Sequence, residues 1–252
     1  MNTREEKVGR VRKRRYLVLG AAVLVFCGIG FAVWDAARKL EVERELEAVF
    51  KTQVRDGWNL TPEGTNAVRV IGARAVPIVL KWSAGPKRGW ARRLERKLIQ
   101  WGWAGGDPFP VQHAKARMIL SILGEEAIPA VLTLVGRLES KEADARRFAV
   151  QLLGAIGPAT GAAVFEQMTN CLADVDKDVR NDVVWTLQFH GIDGFEAEQL
   201  IPVFVAGMKD SYRLARENGE IGLKKLQEKD ERSREAVLKA IREAGIKSVD
   251  VK

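Results

Sequence analysis

The apolar positions of this chain recur on a helical spacing, and the pattern then recurs in blocks. In residues 145–158, ARRFAVQLLGAIGP, small or apolar side chains fall at Ala149, Leu153 and Ile156, and Gly157-Pro158 closes the run. Spacings of three and four place these on one face of an α-helix. The same frame holds Val183, Leu187, His190 and Gly191 downstream, and Ala116, Leu120, Leu123 and Gly124 upstream. It also fits Gly64, Val68, Ile71 and Gly72 at one end and Gly219, Leu223 and Leu226 at the other, where Gln227 replaces the closing glycine. Gly124 to Gly157 is a step of 33 residues and Gly157 to Gly191 a step of 34. Such periods mark a helical repeat array, in which each unit shelters its apolar face against its neighbours.

A second helix follows each first one, beginning near Pro77, Pro129, Gly161 and Glu196. Glycine lets the chain leave the first helix, and proline presets entry to the second. The last first-type helix is expected over 212–226. A polar helix over 233–244, with Val237 and Ile241 turned inward, closes the array as a cap.

Upstream of the repeats the pattern changes. Residues 16–34, YLVLGAAVLVFCGIGFAVW, carry no charge, and as a helix they span roughly 28 Å, close to the hydrocarbon thickness of a bilayer. Tyr16 and Trp34 stand at the ends, where interfacial aromatics are favoured. A retained transmembrane helix is the expectation. A cleaved signal peptide is the alternative, against which the run is long and lacks an A-x-A site. Seven Lys/Arg in residues 1–15 precede the span, against Glu5 and Glu6. The positive-inside rule therefore makes 1–15 a basic cytoplasmic tail and puts the repeat domain on the outer side of the inner membrane. Residues 35–57 read as a helical stalk or cap with Leu40, Leu46, Val49 and Phe50 on its apolar face, and 58–252 as the repeat domain.

The net charge of +8 then changes meaning. Most of it lies in the tail, and the body holds 34 basic and 31 acidic side chains, so the pI is no argument for nucleic acid. Cys27 and Cys171 fall in different segments, and His113 and His190 are far apart. Neither a disulfide nor a zinc site is expected.

One stretch exceeds the repeat period. Pro77 to Pro129 is a step of 52 residues, and the surplus, at about 81–112, is basic and rich in tryptophan. Lys87, Arg88, Arg92, Arg93, Arg96 and Lys97 surround Trp90, and Trp90, Leu94, Leu98 and Trp101 share a helical face. One reading is an extra amphipathic helix with its tryptophans on the array. The other is a basic interaction patch for anionic lipid headgroups or an acidic protein.

The repeats resemble HEAT repeats, in particular the bacterial HEAT-like repeats of phycobilisome-lyase type. The resemblance covers residues 61–226. It implies an all-α fold, a right-handed α-solenoid of HEAT-like helix pairs, here preceded by a single transmembrane helix. It also implies a ladder of Asp and Arg along the stack. Asp174 precedes Val179-Arg180, and Asp210 precedes Ala215-Arg216, at the family's spacing; Ser140 stands in the acidic position before Ala145-Arg146. Arg146, Arg180 and Arg216 begin helices, where a cation is unhelpful to the helix dipole, so each is expected to have a fixed acidic partner. Arg180 is expected to couple with Asp174.

No catalytic residue, metal site or cofactor is expected. His190 reads as a satisfied core histidine, His113 as structural, and Cys171 as a buried thiol. The carboxylates at 174–182 read as caps and ladder groups, since a calcium loop would need its glycine and terminal glutamate. The expected function is a non-catalytic, membrane-tethered scaffold for a protein partner, held in the bilayer by residues 16–34. A chromophore-lyase-like enzyme, implied by the resemblance, and a binder of anionic lipid or nucleic acid through 81–103 are the alternatives. Nucleic acid is disfavoured if the repeats lie outside the cytoplasm.

Overall fold

The computed structural model describes residues 3–52, 54–55, 59–83 and 108–246, with side chains at 28–52, 60–83 and 112–246. The basic, Trp-rich stretch around Lys87, Arg88, Trp90, Arg92, Arg93, Arg96 and Lys97 lies outside the described residues. The chain divides into two compact units, Met1–Ala48 and Val49–Lys252.

The first unit lies within one helix, α1 (Thr3–Thr52). Tail, expected span and stalk are thus continuous backbone helix. In residues 28–34 every side chain is exposed, with Ile29, Phe31, Val33 and Trp34 between 53 and 66% accessible. Below them the helix turns polar. Arg38 lies over the Trp34 ring at 4.7 Å, and Lys39 pairs with Asp35 at 2.6 Å. Leu40, expected on the apolar face of the stalk, is exposed, whereas Val42 and Leu46 are buried. Val49 and Phe50 are buried as well, so the expected face holds except at its upper end, where Val42 takes the place of Leu40.

The second unit departs from an all-α fold at a single place among the described residues. Where the sequence at Asp56-Gly57 breaks the helix, β1 (Val54–Arg55) pairs antiparallel with β2 (Asn59–Leu60). Then come five helix pairs among the described residues: α2 (Pro62–Ile71) with α3 (Val76–Trp82), α4 (Pro108–Leu123) with α5 (Ile128–Leu138), α6 (Ala143–Ile156) with α7 (Ala162–Asn170), α8 (Lys177–Thr186) with α9 (Ala197–Met208), and α10 (Arg213–Lys229) with α11 (Glu231–Glu243). The segment Gln112–Leu138 is long and apolar enough to cross a bilayer. It is two repeat helices, separated at Gly124.

Local chemistry sets each boundary. Thr61 Oγ1 accepts from the Gly64 amide at the start of α2, and Asp176 Oδ1 accepts from the Asp178 and Val179 amides at the start of α8. These contacts satisfy donors that a helix start leaves open. Gly72, Gly124 and Gly157 end the first helices at φ of 59°, 50° and 75°, a region open to glycine at little cost. Each is followed by a short 3-10 turn into the second helix.

The fourth pair differs. Gly191 closes a π-helical turn, Leu187–Gly191, instead of a left-handed stop. Lys225 and Lys229, in the last two turns of α10, donate to the carbonyls of Gln188 (3.4 Å) and Ile192 (2.7 Å) there. His190, placed by the repeat frame in an apolar slot, sits in this turn half-buried, and its Nε2 has no hydrogen-bond partner among the described residues. It is a neutral wedge in an apolar slot and lacks the satisfied contacts expected of it.

The core is a row that runs from pair to pair. Leu120, Leu153, Leu187 and Leu223 are all fully buried, as are Ala116, Ala149 and Val183 beside them. Their partners come from the second helices: Leu134, Met168, Leu200 and Phe204. Complete burial of one leucine is worth about 1.5–3 kcal/mol, and no pair could achieve it alone. Val150 and Val184 are buried, but the same frame position in α10 is Glu220, exposed to solvent. Val237 and Ile241 face inward on α11, leaving its other side polar.

Gly219 occupies the slot that holds Ala149 and Val183, because α10 lies close on α9: an added Cβ would come 2.6 Å from the Phe204 carbonyl oxygen. Gly219→Ala is therefore expected to destabilise by about 1–3 kcal/mol. Gly136→Ala, whose Cβ would meet nothing within 4 Å, should stabilise by roughly 0.5–1 kcal/mol through backbone entropy. Thermal melts of the two variants check the opposite signs.

Candidate functional site

Polar groups line up along the ends of the first helices. Arg146 donates from Nε to Asp174 Oδ2 at 2.6 Å and from Nη2 to Oδ1 at 2.7 Å. Arg180 repeats this on Asp210, at 2.7 and 3.0 Å. The remaining nitrogen, Nη1, binds the loop of the arginine's own repeat: the Ser140 carbonyl for Arg146 and the Asp174 carbonyl for Arg180, at 2.8 and 2.9 Å. Each Asp also accepts from the amide two residues on, Asp176 or Tyr212. One guanidinium thus ties two successive loops together, with both edges of a planar fork in use.

The carboxylate that Arg180 engages is Asp210, and Asp174 serves Arg146. The coupling expected between Arg180 and Asp174 is in fact displaced by one repeat, because each arginine reaches forward to the loop that follows its own helix pair. Arg216 binds only the Asp210 and Ser211 carbonyls, both at 2.8 Å; among the described residues no further rung follows. The ladder starts late as well. Ser140 stands where an acid would serve the second pair, and His113 stands where that pair's arginine would be. His113 packs on Phe148, ring centroids 4.2 Å apart. Both halves of the rung are absent together, so no buried charge is left over.

A second set of contacts crosses the faces of α4, α6 and α8. Arg147 Nε donates to Asp182 Oδ2 at 2.8 Å, and Asp144 lies 3.6 Å from Arg147. Asp182 is 6% exposed at its side chain and Arg147 30%. Burial therefore outweighs the pairing for Asp182 and lifts its carboxyl above the usual range, while Arg147 and Gln151 pull it back. Arg117 sits over Trp185 at 4.8 Å, and Trp185 stacks on Phe189, centroids 5.5 Å apart. Of these only Asp182 is singled out by the sequence, as a cap or ladder group, and it instead pairs with Arg147; Arg117 shares a frame position with the buried Val150 and Val184.

Charge states follow from depth. Hydrogen bonds from Arg146 and Arg180 hold Asp174 and Asp210 below the ordinary carboxylate range. Burial, then Arg117 and Arg147, pushes His113 down to about 3; burial, then Arg117, pushes His190 to about 4. Both rings stay neutral near pH 7. Cys171, expected to be buried, is only half so: it lines an open groove of about 320 Å³ with Val135, Leu138, Gln167 and Asp174, and burial raises its thiol. A similar groove runs beside Phe189, Ile192, Lys225 and Lys229. Among the described residues no three His, Cys, Asp or Glu groups converge as metal ligands. In the acidic run Asp174 serves the ladder, Asp176 caps α8 and Asp182 pairs with Arg147.

No protein-family model matches the chain, and no curated protein matches it. Several solved structures are similar to it, two of which illustrate the range. One is the crystal structure of an engineered protein from a structural genomics consortium, 17% identical, with a TM-score of 0.41 over 81% of this chain and 85% of that one. The other, from the Pds5–Scc1 complex described for its implications for cohesin function, is 11% identical, with a TM-score of 0.39 over 74% of this chain. This chain spans 33% of that protein's length. Likenesses of this size fix no function. The helical repeat rests on the stacked pairs themselves.

Two outcomes follow. A double-mutant cycle of Arg146→Met with Asp174→Asn should show coupling of about 1.5–3 kcal/mol, as for a charged hydrogen-bonded pair; Arg180→Met should couple more strongly with Asp210→Asn than with Asp174→Asn. Chemical denaturation of the singles and doubles reads both. The histidines, with folded pKa values depressed below 6.5, take up protons on unfolding. Stability should thus fall as pH drops from about 6.5 towards 4. His190→Leu, which matches the slot's other occupants, should flatten that decline in melts run from pH 7 to 4.5.

Proposed function

We propose that this protein is a membrane-tethered scaffold: a HEAT-like solenoid that binds a protein partner, held to a bilayer by the apolar part of α1, with no chemistry of its own. The observation that carries the tether is the ring of exposed apolar side chains at Ile29, Phe31, Val33 and Trp34. A helix apolar on all sides is suited to lipid. Trp34 with Arg38 and Lys39 beneath it has the aromatic and cationic make-up of an interface anchor. The seven basic residues before residue 16 favour an N-terminus in the cytoplasm and repeats on the outer side of the inner membrane.

Stacked helix pairs support the scaffold reading, since such arrays present long surfaces built from many short elements. A non-catalytic role accords with the fate of the buried titratable groups: Asp182 is committed to Arg147, and burial holds both histidines neutral near pH 7. The resemblance to HEAT-like repeats supports the same reading.

Extraction of membranes with alkaline carbonate tests the tether. The full chain should stay in the pellet, and Phe31→Asp with Val33→Asp should release a large part of it. A wild-type chain that washes out would sink the tether. In spheroplasts, protease added from outside should degrade the repeats and leave a protected N-terminal fragment; intact repeats would reverse the orientation.

A further inference from the structure

Among the described helices, α5 turns an uncharged face outward. Its Ala130, Val131, Leu134 and Leu138 are buried in the array. The opposite side carries Ile128 at 50% and Leu132 at 85% exposure, with Val135 half-buried one turn on. No charge lies between Glu126 and Arg137. Other second helices turn polar groups to the same side: Lys81 on α3, Glu166, Gln167 and Asn170 on α7, Glu198 and Gln199 on α9. Their outward faces suit water, and that of α5 does not. Beside Val135 and Leu138 it opens into the groove shared with Gln167 and Cys171.

The chain carries a matching stripe beside this face. Four residues suffice to pass from α5 to α6 and from α9 to α10. Between Ser83, at the end of α3, and Pro108, at the start of α4, lie 24 residues outside those described. Ser83 is pinned to α5: Arg137 Nη1 donates to its hydroxyl at 2.8 Å and to its carbonyl at 3.0 Å. The segment therefore departs beside the C-terminal end of α5, just past Leu132 and Val135. Within it, Trp90, Leu94, Leu98 and Trp101 recur at helical spacing between Gly89 and Gly102. Arg92, Arg93 and Arg96 fall off that stripe, and Lys97 lies at its margin. As a helix, residues 90–101 are ~18 Å long, against ~17 Å for α5. Residues 102–107 can span about 20 Å on the way back, so the excursion closes.

We propose that residues 90–101 dock as an amphipathic helix along α5, with Trp90, Leu94, Leu98 and Trp101 covering Ile128, Leu132 and Val135. Attachment and length select this occupant over an outside partner. Joined to the array at both ends, the segment meets the face at an effective concentration on the order of mM. Charge decides nothing, because the face has none. Docking removes apolar surface on both helices from water. Arg92, Arg93 and Arg96 stay in water, and Lys97 reaches it along its own stem. The outer side of the solenoid gains a fixed positive ridge, and α5 is closed to other chains. The contact holds whether or not the chain is tethered to a bilayer or binds a partner.

Limited trypsin digestion of the full chain in dodecyl maltoside, with cleavage sites read by mass spectrometry, tests it. Cuts after Arg92, Arg93, Arg96 and Lys97 should be slow while the helix is docked, since cleavage tracks the open fraction. Leu132→Asp, at a site exposed enough for the array itself to tolerate it, should speed them at least about tenfold. Trp90→Ser with Trp101→Ser should do the same, and adding Leu132→Asp to that pair should change little more. Leu238→Asp, at an exposed position of α11, should leave the rate unchanged, and melts confirm that each variant folds. In a chain with Cys27→Ser and Cys171→Ser, Leu132→Cys and Leu94→Cys together should be joined within one chain by a short bismaleimide. Digestion indifferent to Leu132→Asp, or no crosslink within the chain, overturns the proposal. So does a crosslink formed only between chains, which makes the occupant a second copy, or protection that appears only with phosphatidylglycerol vesicles, which makes it lipid.

Discussion

A pair of helices some thirty residues long has apolar surface on both flanks and too little mass to cover either. Stacking is the only way to remove that surface from water, and the described helix pairs answer to this constraint. Leu120, Leu153, Leu187 and Leu223 are each fully buried because the next pair completes what their own pair cannot. Stability is then a property of interfaces between neighbours. In the last pair the frame position of Val150 and Val184 is the exposed Glu220, and the outer side of α11 is polar.

Polar contacts add registration to this nonspecific adhesion. An apolar row tolerates sliding; a bidentate guanidinium does not. Arg146 on Asp174 and Arg180 on Asp210 lock each loop to the one after it, while their carbonyl bonds fasten each arginine to the loop of its own repeat. The joint loss of arginine and acid at His113 and Ser140 shows how strict the requirement is, since one member alone would leave an uncompensated charge at a cost of several kcal/mol. Gly219 and the π-turn at Leu187–Gly191 show the backbone yielding where packing demands it. The lysines of α10 then satisfy carbonyls that the turn leaves open.

The repeat was legible because burial imposes a period, and a period survives in one sequence. Helix starts beside Pro77 and Pro129 and stops at Gly72, Gly124 and Gly157 could be placed from residue chemistry alone, whereas the last helix begins at Glu231 behind its Asp230 cap, two residues before the expected Ser233. The direction of the ladder could not. Asp174 and Arg180 are close in sequence and belong to one loop, yet the side chains pair across repeats, and spacing does not tell forward from backward reach. The cluster of Arg117, Arg147, Asp182 and Trp185 was hidden for a related reason. It joins three helices through long side chains, and its one sequence signal is a charge at a position that elsewhere holds valine. In α1, exposure of Leu40 and burial of Val42 turned on which way a long helix faces, and hydrophobicity alone does not fix that.

Native-state hydrogen exchange on the full chain, with Leu187→Ala as the perturbation, reads the central claim most directly. If neighbours hold each other up, truncating Leu187, at about 2–5 kcal/mol, should lower protection in α6 and α10 as well as in α8, with the effect fading towards α2. Loss of protection confined to α8, with its neighbours unchanged, would contradict a fold built on shared burial.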